Sequence, residues 1–264
     1  MHDPWFFTDG PLAASSTGGP RAPIVLSGGD AHHLTVVRRA RAGDRVCVSD
    51  GAGTVVEGRL ATLSPSAVEV EPLAERQLAK PAPSVRVFQA LAKGAKVDLI
   101  VQKLVELGVD EIVIFTSGRS VPQWDARKRA QMAARWATIA REAAKQSRRA
   151  WLPQTGGPVP AAEAALMAGS GVRSAARSAG EQDGGLLLLA DESSATPLRD
   201  VLPSALAQPC TVVVGPEGGL TSGERVAFGS AGALPFSLGP QILRTETAAL
   251  AAAALILHHA GRLG

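Results

Sequence analysis

The chain has 264 residues, with 27 Lys plus Arg against 24 Asp plus Glu, 45% hydrophobic residues and a mean hydropathy of +0.11. That much apolar material excludes a mainly disordered chain and is enough for a substantial core. The longest unbroken apolar run, Ala248 to Leu257, is far short of the roughly 20 residues that cross a bilayer, which excludes a helical membrane span.

The amino-terminal MHDPWFFTDG carries no basic leader followed by an apolar stretch, so the expected location is the cytoplasm. Cys47 and Cys210 are the only cysteines, too few for a disulfide framework, and are expected to be small buried thiols. The net charge is +3 with a pI near 9.2, and 21 of the 27 basic residues are Arg, the side chain suited to forked phosphate recognition. At this length one large domain or two ordinary ones are permitted.

From Ile24 to about Glu71 the sequence reads as short strands, IVLSG, DRVCVSD, TVVEGRL and AVEVE, separated by Gly, Asp, Ser and Pro turn signals; this pattern predicts a small β-barrel. Pro72 to Ser84 holds three prolines and reads as a linker. The boundary falls near residue 80, giving units 1–78 and 79–264.

Beyond it the pattern alternates: VRVFQAL as a strand, VDLIVQKLVELG as a helix, EIVIFT as a strand, then a long helix from Ala126 to Arg149. In that helix Met132, Trp136, Ile139 and Ala143 form one apolar stripe, while Arg135, Arg141, Lys145 and Arg149 lie off it on a basic side. The segment from Ala168 to Gly185 lacks periodicity and reads as a mobile insertion without an assigned role. The short apolar runs LLLLA (186–190), TVVVG (211–215) and ALPFSL (233–238) read as strands of a parallel sheet covered on both faces.

Two segments carry candidate chemistry. Gly215-Pro216-Glu217-Gly218-Gly219 follows TVVV directly, and Thr221-Ser222-Gly223-Glu224 then forms a capping box that opens a helix. Such a junction is either an ordinary tight turn or a loop whose backbone approaches a ligand; no Gly-Lys-Ser/Thr follows, so it is not a phosphate-binding P-loop. The second segment runs from Leu238 through Gly239, Ile242, Leu243 and Arg244 into an Ala-rich helix ending near His259, with Thr245 as its cap and Glu246 at the positive end of its dipole. Arg244 either pairs a carboxylate structurally or faces a site.

The basic residues Arg38, Arg39, Arg41 and Arg45, with Arg148 and Arg149, are either solvated surface or one continuous nucleic-acid face. His32-His33 and His258-His259 are adjacent pairs whose side chains diverge, so no metal site is expected. No Gly-x-Ser-x-Gly elbow supports a hydrolase.

Taken in order, the motifs resemble the bacterial small-subunit ribosomal RNA uridine-N3 methyltransferases of the SPOUT superfamily. The resemblance spans nearly the whole chain: His32-His33-Leu34 with Val37-Arg38, Leu91-Ala92-Lys93-Gly94, Ile100-Val101-Gln102-Lys103 through Glu106-Leu107-Gly108-Val109, Arg119-Ser120-Val121, Gln146-Ser147 with Arg149, Gly215 to Gly219, and Leu238-Gly239 with Leu243-Arg244-Thr245-Glu246-Thr247-Ala248. Gly118 stands where the family often has Glu, Lys145 and Arg148 replace its usual Glu and Gly, and WFFTDG lacks its amino-terminal basic residue.

The resemblance implies an α/β protein: an amino-terminal PUA-like β-barrel that binds RNA, followed by a SPOUT domain whose carboxy-terminal segment forms a trefoil knot. It implies a homodimer that uses S-adenosylmethionine to methylate 16S ribosomal RNA, either free or in the assembled small subunit. The cofactor residues carried over are Leu189, Ala190, Gly215, Pro216, Glu217, Gly218, Gly219, Leu238, Gly239, Ile242, Leu243 and Thr247. Arg244 and Glu246 take the catalytic roles, Arg244 stabilising developing charge and Glu246 or Glu217 accepting a proton. Arg38, Arg39, Arg45, Lys93, Lys103, Arg119 and Arg149 take RNA contacts. Two other readings share parts of this pattern: a non-catalytic RNA-binding protein, and a nucleotide-dependent α/β enzyme.

Overall fold

The computed structural model describes residues 3–12, 22–119, 124–179 and 185–264, and these form two compact units. The first comprises Met1–Lys80 with Lys145–Leu152, the second Pro81–Ala144 with Pro153–Gly264.

In the first unit, β1 (Trp5–Phe7), β2 (Ile24–Ser27), β3 (Arg45–Ser49), β4 (Thr54–Leu63) and β5 (Ala67–Gln77) form one sheet in the order β1-β3-β4-β5-β2. β1 pairs parallel with β3, and the other pairings are antiparallel. Irregularities between β4 and β5 at Glu57/Gly58 and Leu60/Leu63 bend the sheet, as bulges do. Gly58 is required there, because a Cβ would strike Val70 and the Glu71 carbonyl. Phe6, Leu26, Leu34, Val46, Val48, Val56, Leu60, Val68 and Val70 fill the concave side. Alternation in β2 and β5 set their inward faces, whereas β1 escaped the sequence reading because three residues are too short for a period.

Two expectations are corrected here. Residues 72–77 belong to β5 rather than to a linker, since Pro72 sits opposite the Gly58 irregularity, where a missing N–H is tolerated. Lys145 is not a solvated member of a basic helix face: its ammonium lies 2.6 Å from Asp30 with only 13% of the side chain exposed. Asp30 sits in α1 (Gly28–His32), which continues into a π-turn over His33–Val37; neither was foreseen.

The second unit carries β6 (Val85–Ala90), α2 (Lys96–Leu107), β7 (Glu111–Thr116), α3 (Ala126–Gln146), β8 (Gln154–Pro160), α4 (Ala161–Ala179), β9 (Leu186–Ala190), α5 (Leu198–Val201), β10 (Cys210–Val214), α6 (Ser222–Ser230), β11 (Leu234–Phe236) and α7 (Thr245–His259). Its six strands pair in parallel in the order β11-β9-β10-β6-β7-β8. All of β10 is buried, as the unbroken apolar run required. Phe88, Phe115, Leu187, Leu189, Val213, Leu220 and Phe228 pack one side of the sheet, with the Phe115 and Phe228 rings 5.5 Å apart.

The expected insertion at 168–185 is also corrected. Residues 168–179 complete α4, whose Ala161, Ala164, Ala165 and Ala168 are buried against the sheet core; Ala-rich packing gives a weak apolar period but a strong helix propensity. Residues 180–184 lie outside the described residues. Both cysteines are buried as expected, and burial pushes the Cys210 thiol up to about 12.

Candidate active site

In a parallel sheet, side chains and loops that bind ligands collect at the carboxyl ends of the strands. Here the ends of β9, β10 and β11 surround a cavity of about 270 Å³. Its floor and walls are apolar, with Leu189, Val214, Leu220, Phe236, Leu238, Ile242 and Leu243, and its rim carries Asp191, Glu192, Glu217, Arg225 and Arg244.

The first wall is the turn after β10. Gly219 takes φ +69°, a conformation open to glycine, and a Cβ there would lie 3.5 Å from the Glu192 carboxylate and 3.7 Å from the Arg225 guanidinium. Thr221 then caps α6: its Oγ1 accepts from the Glu224 N–H at 3.3 Å, and its own N–H donates to Glu224 at 2.8 Å. The Glu224 carboxylate also accepts from Ser117 and from the Gly118 N–H at 2.8 and 2.7 Å. Burial raises the Glu224 carboxyl, but the Thr221 and Gly118 N–H groups and the Ser117 hydroxyl outweigh it and hold it below the usual range.

The second wall is the segment between β11 and α7. Gly239 takes φ +129°, and Ile242 is 85% exposed. Arg244 is the N-cap residue of α7 but provides no side-chain cap. Thr245, expected to be the cap, is the first helical residue and is buried. Its hydroxyl donates to the Gly215 carbonyl at 2.7 Å and accepts from the buried Gln89 amide at 2.9 Å, so it joins the two walls instead.

Arg244 is exposed on the rim, and its guanidinium has no hydrogen bond or ion pair among the described residues. Glu246 lies outside the cavity lining, with Lys96 Nζ 3.2 Å from its buried Oε2 but not in hydrogen-bonding geometry. Glu217 accepts a hydrogen bond from the same ammonium at 2.8 Å. Burial raises the Glu217 carboxyl, yet the Lys96 hydrogen bond, the Glu217 and Lys93 N–H groups and the ammonium charge together carry it below the ordinary value.

Of the cofactor residues expected from the sequence, Leu189, Ala190, Gly215, Pro216, Glu217, Gly219, Leu238, Gly239, Ile242 and Leu243 line this cavity. Gly218 and Thr247 do not; the Gly218 carbonyl instead accepts from Arg119 at 2.7 Å, and Thr247 is exposed. The expected RNA residues fall into two groups. Arg38, Arg39, Arg45 and Arg149 belong to the first unit, where Arg38 and Arg45 line a second cavity and Arg45 also contacts Glu57 at 3.2 Å. Lys93, Lys103 and Arg119 belong to the second, and Lys103 is paired with Glu106 at 2.8 Å. Lys96, Asp191, Glu192 and Arg225 were missed. Asp191 and Glu192 directly follow the LLLLA strand, a position from which strand-end chemistry could have been suspected.

A model described as an RNA methyltransferase domain matches residues 80–257, and one described as an RNA methyltransferase PUA domain matches residues 26–73. The ribosomal RNA small subunit methyltransferase E of Mycobacterium bovis is 31% identical over 231 residues, covering 88% of this chain and 84% of that protein. The chain belongs to this methyltransferase family. The protein of the same designation from Bacillus subtilis is 30% identical, over 88% of each chain. Among solved structures, that of the Neisseria gonorrhoeae enzyme of this designation bound to S-adenosylmethionine superposes with a TM-score of 0.79 at 28% identity, covering 97% of this chain and 98% of that one. A putative methyltransferase from Legionella pneumophila, in complex with the same cofactor, gives a TM-score of 0.81 at 25% identity over 98% of each.

The cavity also fits that cofactor on its own chemistry. Of the three carboxylates in the lining, Glu217 is offset by Lys96 and Asp191 lies 3.6 Å from Arg225, which leaves Glu192 to meet a cationic group of the ligand. A phosphate cradle is not offered, because the Gly219 N–H donates to the Pro216 carbonyl at 2.8 Å and the start of α6 is occupied by its own capping box. This arrangement disfavours the nucleotide-dependent alternative.

Proposed function

We propose that the protein methylates N3 of a specific uridine in 16S ribosomal RNA, using S-adenosylmethionine bound between the 215–221 turn and the 237–244 segment. The observation that carries this reading is the Arg244 guanidinium, without a hydrogen bond or ion pair among the described residues, on the rim of a cavity walled by two glycine-bearing turns.

When bound, S-adenosylmethionine supplies an electrophilic methyl carbon. The residues of this chain do the rest. Leu189, Val214, Leu220 and Leu243 would keep water from the apolar part of the ligand, and Asp191, Glu192 and Glu217 would meet its hydroxyl and cationic groups. Uridine N3 loses a weakly acidic proton, and the negative charge spreads onto the flanking carbonyl oxygens; Arg244 is positioned to donate to that charge. Glu217, which lines the cavity, would accept that proton, while Glu246, outside the lining, shares the Lys96 ammonium with it.

The same reading gives the first unit, with its PUA-like fold, to RNA binding, and includes a homodimer and a knotted carboxy-terminal segment. Phosphate contacts would position the RNA while the target base leaves its stack. Arg38→Ala and Arg39→Ala are expected to weaken RNA binding across sequences, each reducing the salt slope by about 1. Filter binding over a salt series checks this, and an unaltered slope in both variants removes these residues from the RNA face.

The whole reading is tested by incubating the protein with labelled cofactor and either naked 16S RNA or unmodified small subunits, then mapping the methylated nucleotide. Label on N3 of one uridine is the expected result; label on another atom or base, or none with either substrate, rejects it.

A further inference from the structure

Two ties join the walls of the cavity. The inner one is neutral, running from Gln89 through the Thr245 hydroxyl to the Gly215 carbonyl. The outer one is ionic and was not anticipated by any motif. Lys96, the first residue of α2, donates to Glu217 at 2.8 Å and stands 3.2 Å from Glu246. Glu217 belongs to the turn after β10, and Glu246 to the first turn of α7, two residues beyond Arg244. Lys96 does not itself line the cavity.

Its own helix gives no reason for a lysine at this place, since a cation near a helix amino terminus opposes the dipole. The two carboxylates supply the reason. Glu246 is only 16% exposed, and Lys96 and Glu217 are each 31% exposed, so solvent screens the three groups incompletely. Without the ammonium, two carboxylates from different segments would face one another, and their repulsion would push the walls apart.

We propose that Lys96 is a positioning residue for methyl transfer: its ammonium latches the Glu217 turn to the first turn of α7, fixing the cavity width and the place of Arg244. This inference rests on the methyltransferase reading for its role, but the latch itself is a property of the ligand-free chain. Any shift of the α7 start is transmitted to Arg244 directly, because Arg244 is its N-cap residue.

Amide hydrogen exchange of the ligand-free protein, combined with calorimetric titration of S-adenosylhomocysteine, tests the latch. In Lys96→Ala, peptides covering 215–220 and 239–247 are expected to exchange about tenfold faster, with β7 unchanged, and the ligand to bind about tenfold more weakly. Lys96→Arg keeps the charge and is expected to stay within about threefold of the parent on both measurements. The double variant Lys96→Ala/Glu217→Gln removes the repulsion and should recover most of the lost protection, which a purely steric role for the lysine stem would not produce. Unchanged exchange in those peptides of Lys96→Ala overturns the proposal, as does equal acceleration throughout the second unit. If the parent protein itself ignores S-adenosylhomocysteine while the exchange pattern responds as expected, the latch stands and the cofactor assignment falls.

Discussion

Arg244→Ala is expected to slow single-turnover methylation at saturating cofactor by about 10²–10³-fold, while S-adenosylhomocysteine binding stays within about threefold of the parent. The reason is the location of the side chain: it sits on the rim, exposed, and its removal breaks no hydrogen bond or ion pair among the described residues. A donor that meets charge only as the proton leaves N3 lowers the barrier without holding the ground state, and its loss falls on the chemical step. Arg244→Lys keeps the charge without the planar fork and should recover part of the rate. Rapid-quench measurement with saturating enzyme separates chemistry from release. An unchanged chemical step in Arg244→Ala would remove this residue from the mechanism.

The second large effect concerns stability. Arg262, close to the carboxy terminus, is only 9% exposed and forks onto Asp110, which is equally buried. Its remaining N–H groups reach the Pro83 and Gly108 carbonyls, both at 2.8 Å, and the Asp110 carboxylate also accepts from the Val85 N–H at 2.7 Å. This one guanidinium therefore ties the end of the chain to the start of β6 and the end of α2. Arg262→Ala takes the guanidinium counter-charge from the buried Asp110 carboxylate and is expected to cost about 3–5 kcal/mol. Chemical denaturation followed by circular dichroism reads this as a lowered midpoint. Arg262→Lys, which cannot serve two carbonyls and a carboxylate together, should lie between the two. A midpoint within error of the parent for Arg262→Ala would show that the clamp adds nothing.

The elements that were legible in the sequence share one property: their local pattern is enough to fix them. The apolar runs of β9 and β10, the period of α2 and the capping box of α6 each give one answer from neighbouring residues alone. Elements that failed were those whose reason lies elsewhere in the chain. Pro72 could be read as a linker because the Gly58 irregularity that accommodates it is distant in sequence. Residues 168–179 could be read as an insertion because alanines packed under a helix leave little hydrophobic period. Thr245 looked like a cap because the Gln89 amide and Gly215 carbonyl that claim its hydroxyl are 156 and 30 residues away.

The same division runs through the candidate site. The two turns announced themselves by glycines, prolines and strand ends, and the resemblance they carry agrees with the family matches over 80–257 and 26–73. The sequence by itself thus determined which segments could approach a cofactor, and that a parallel sheet would carry them, because strand periodicity and turn chemistry are short-range. Only the tertiary structure decided which charges meet. It set Glu217 and Glu246 on one lysine, turned Glu246 out of the cavity and left Arg244 on the rim without an ion pair among the described residues. Electrostatic partnership depends on separations of a few ångströms between residues far apart in the chain, and no local pattern encodes that distance.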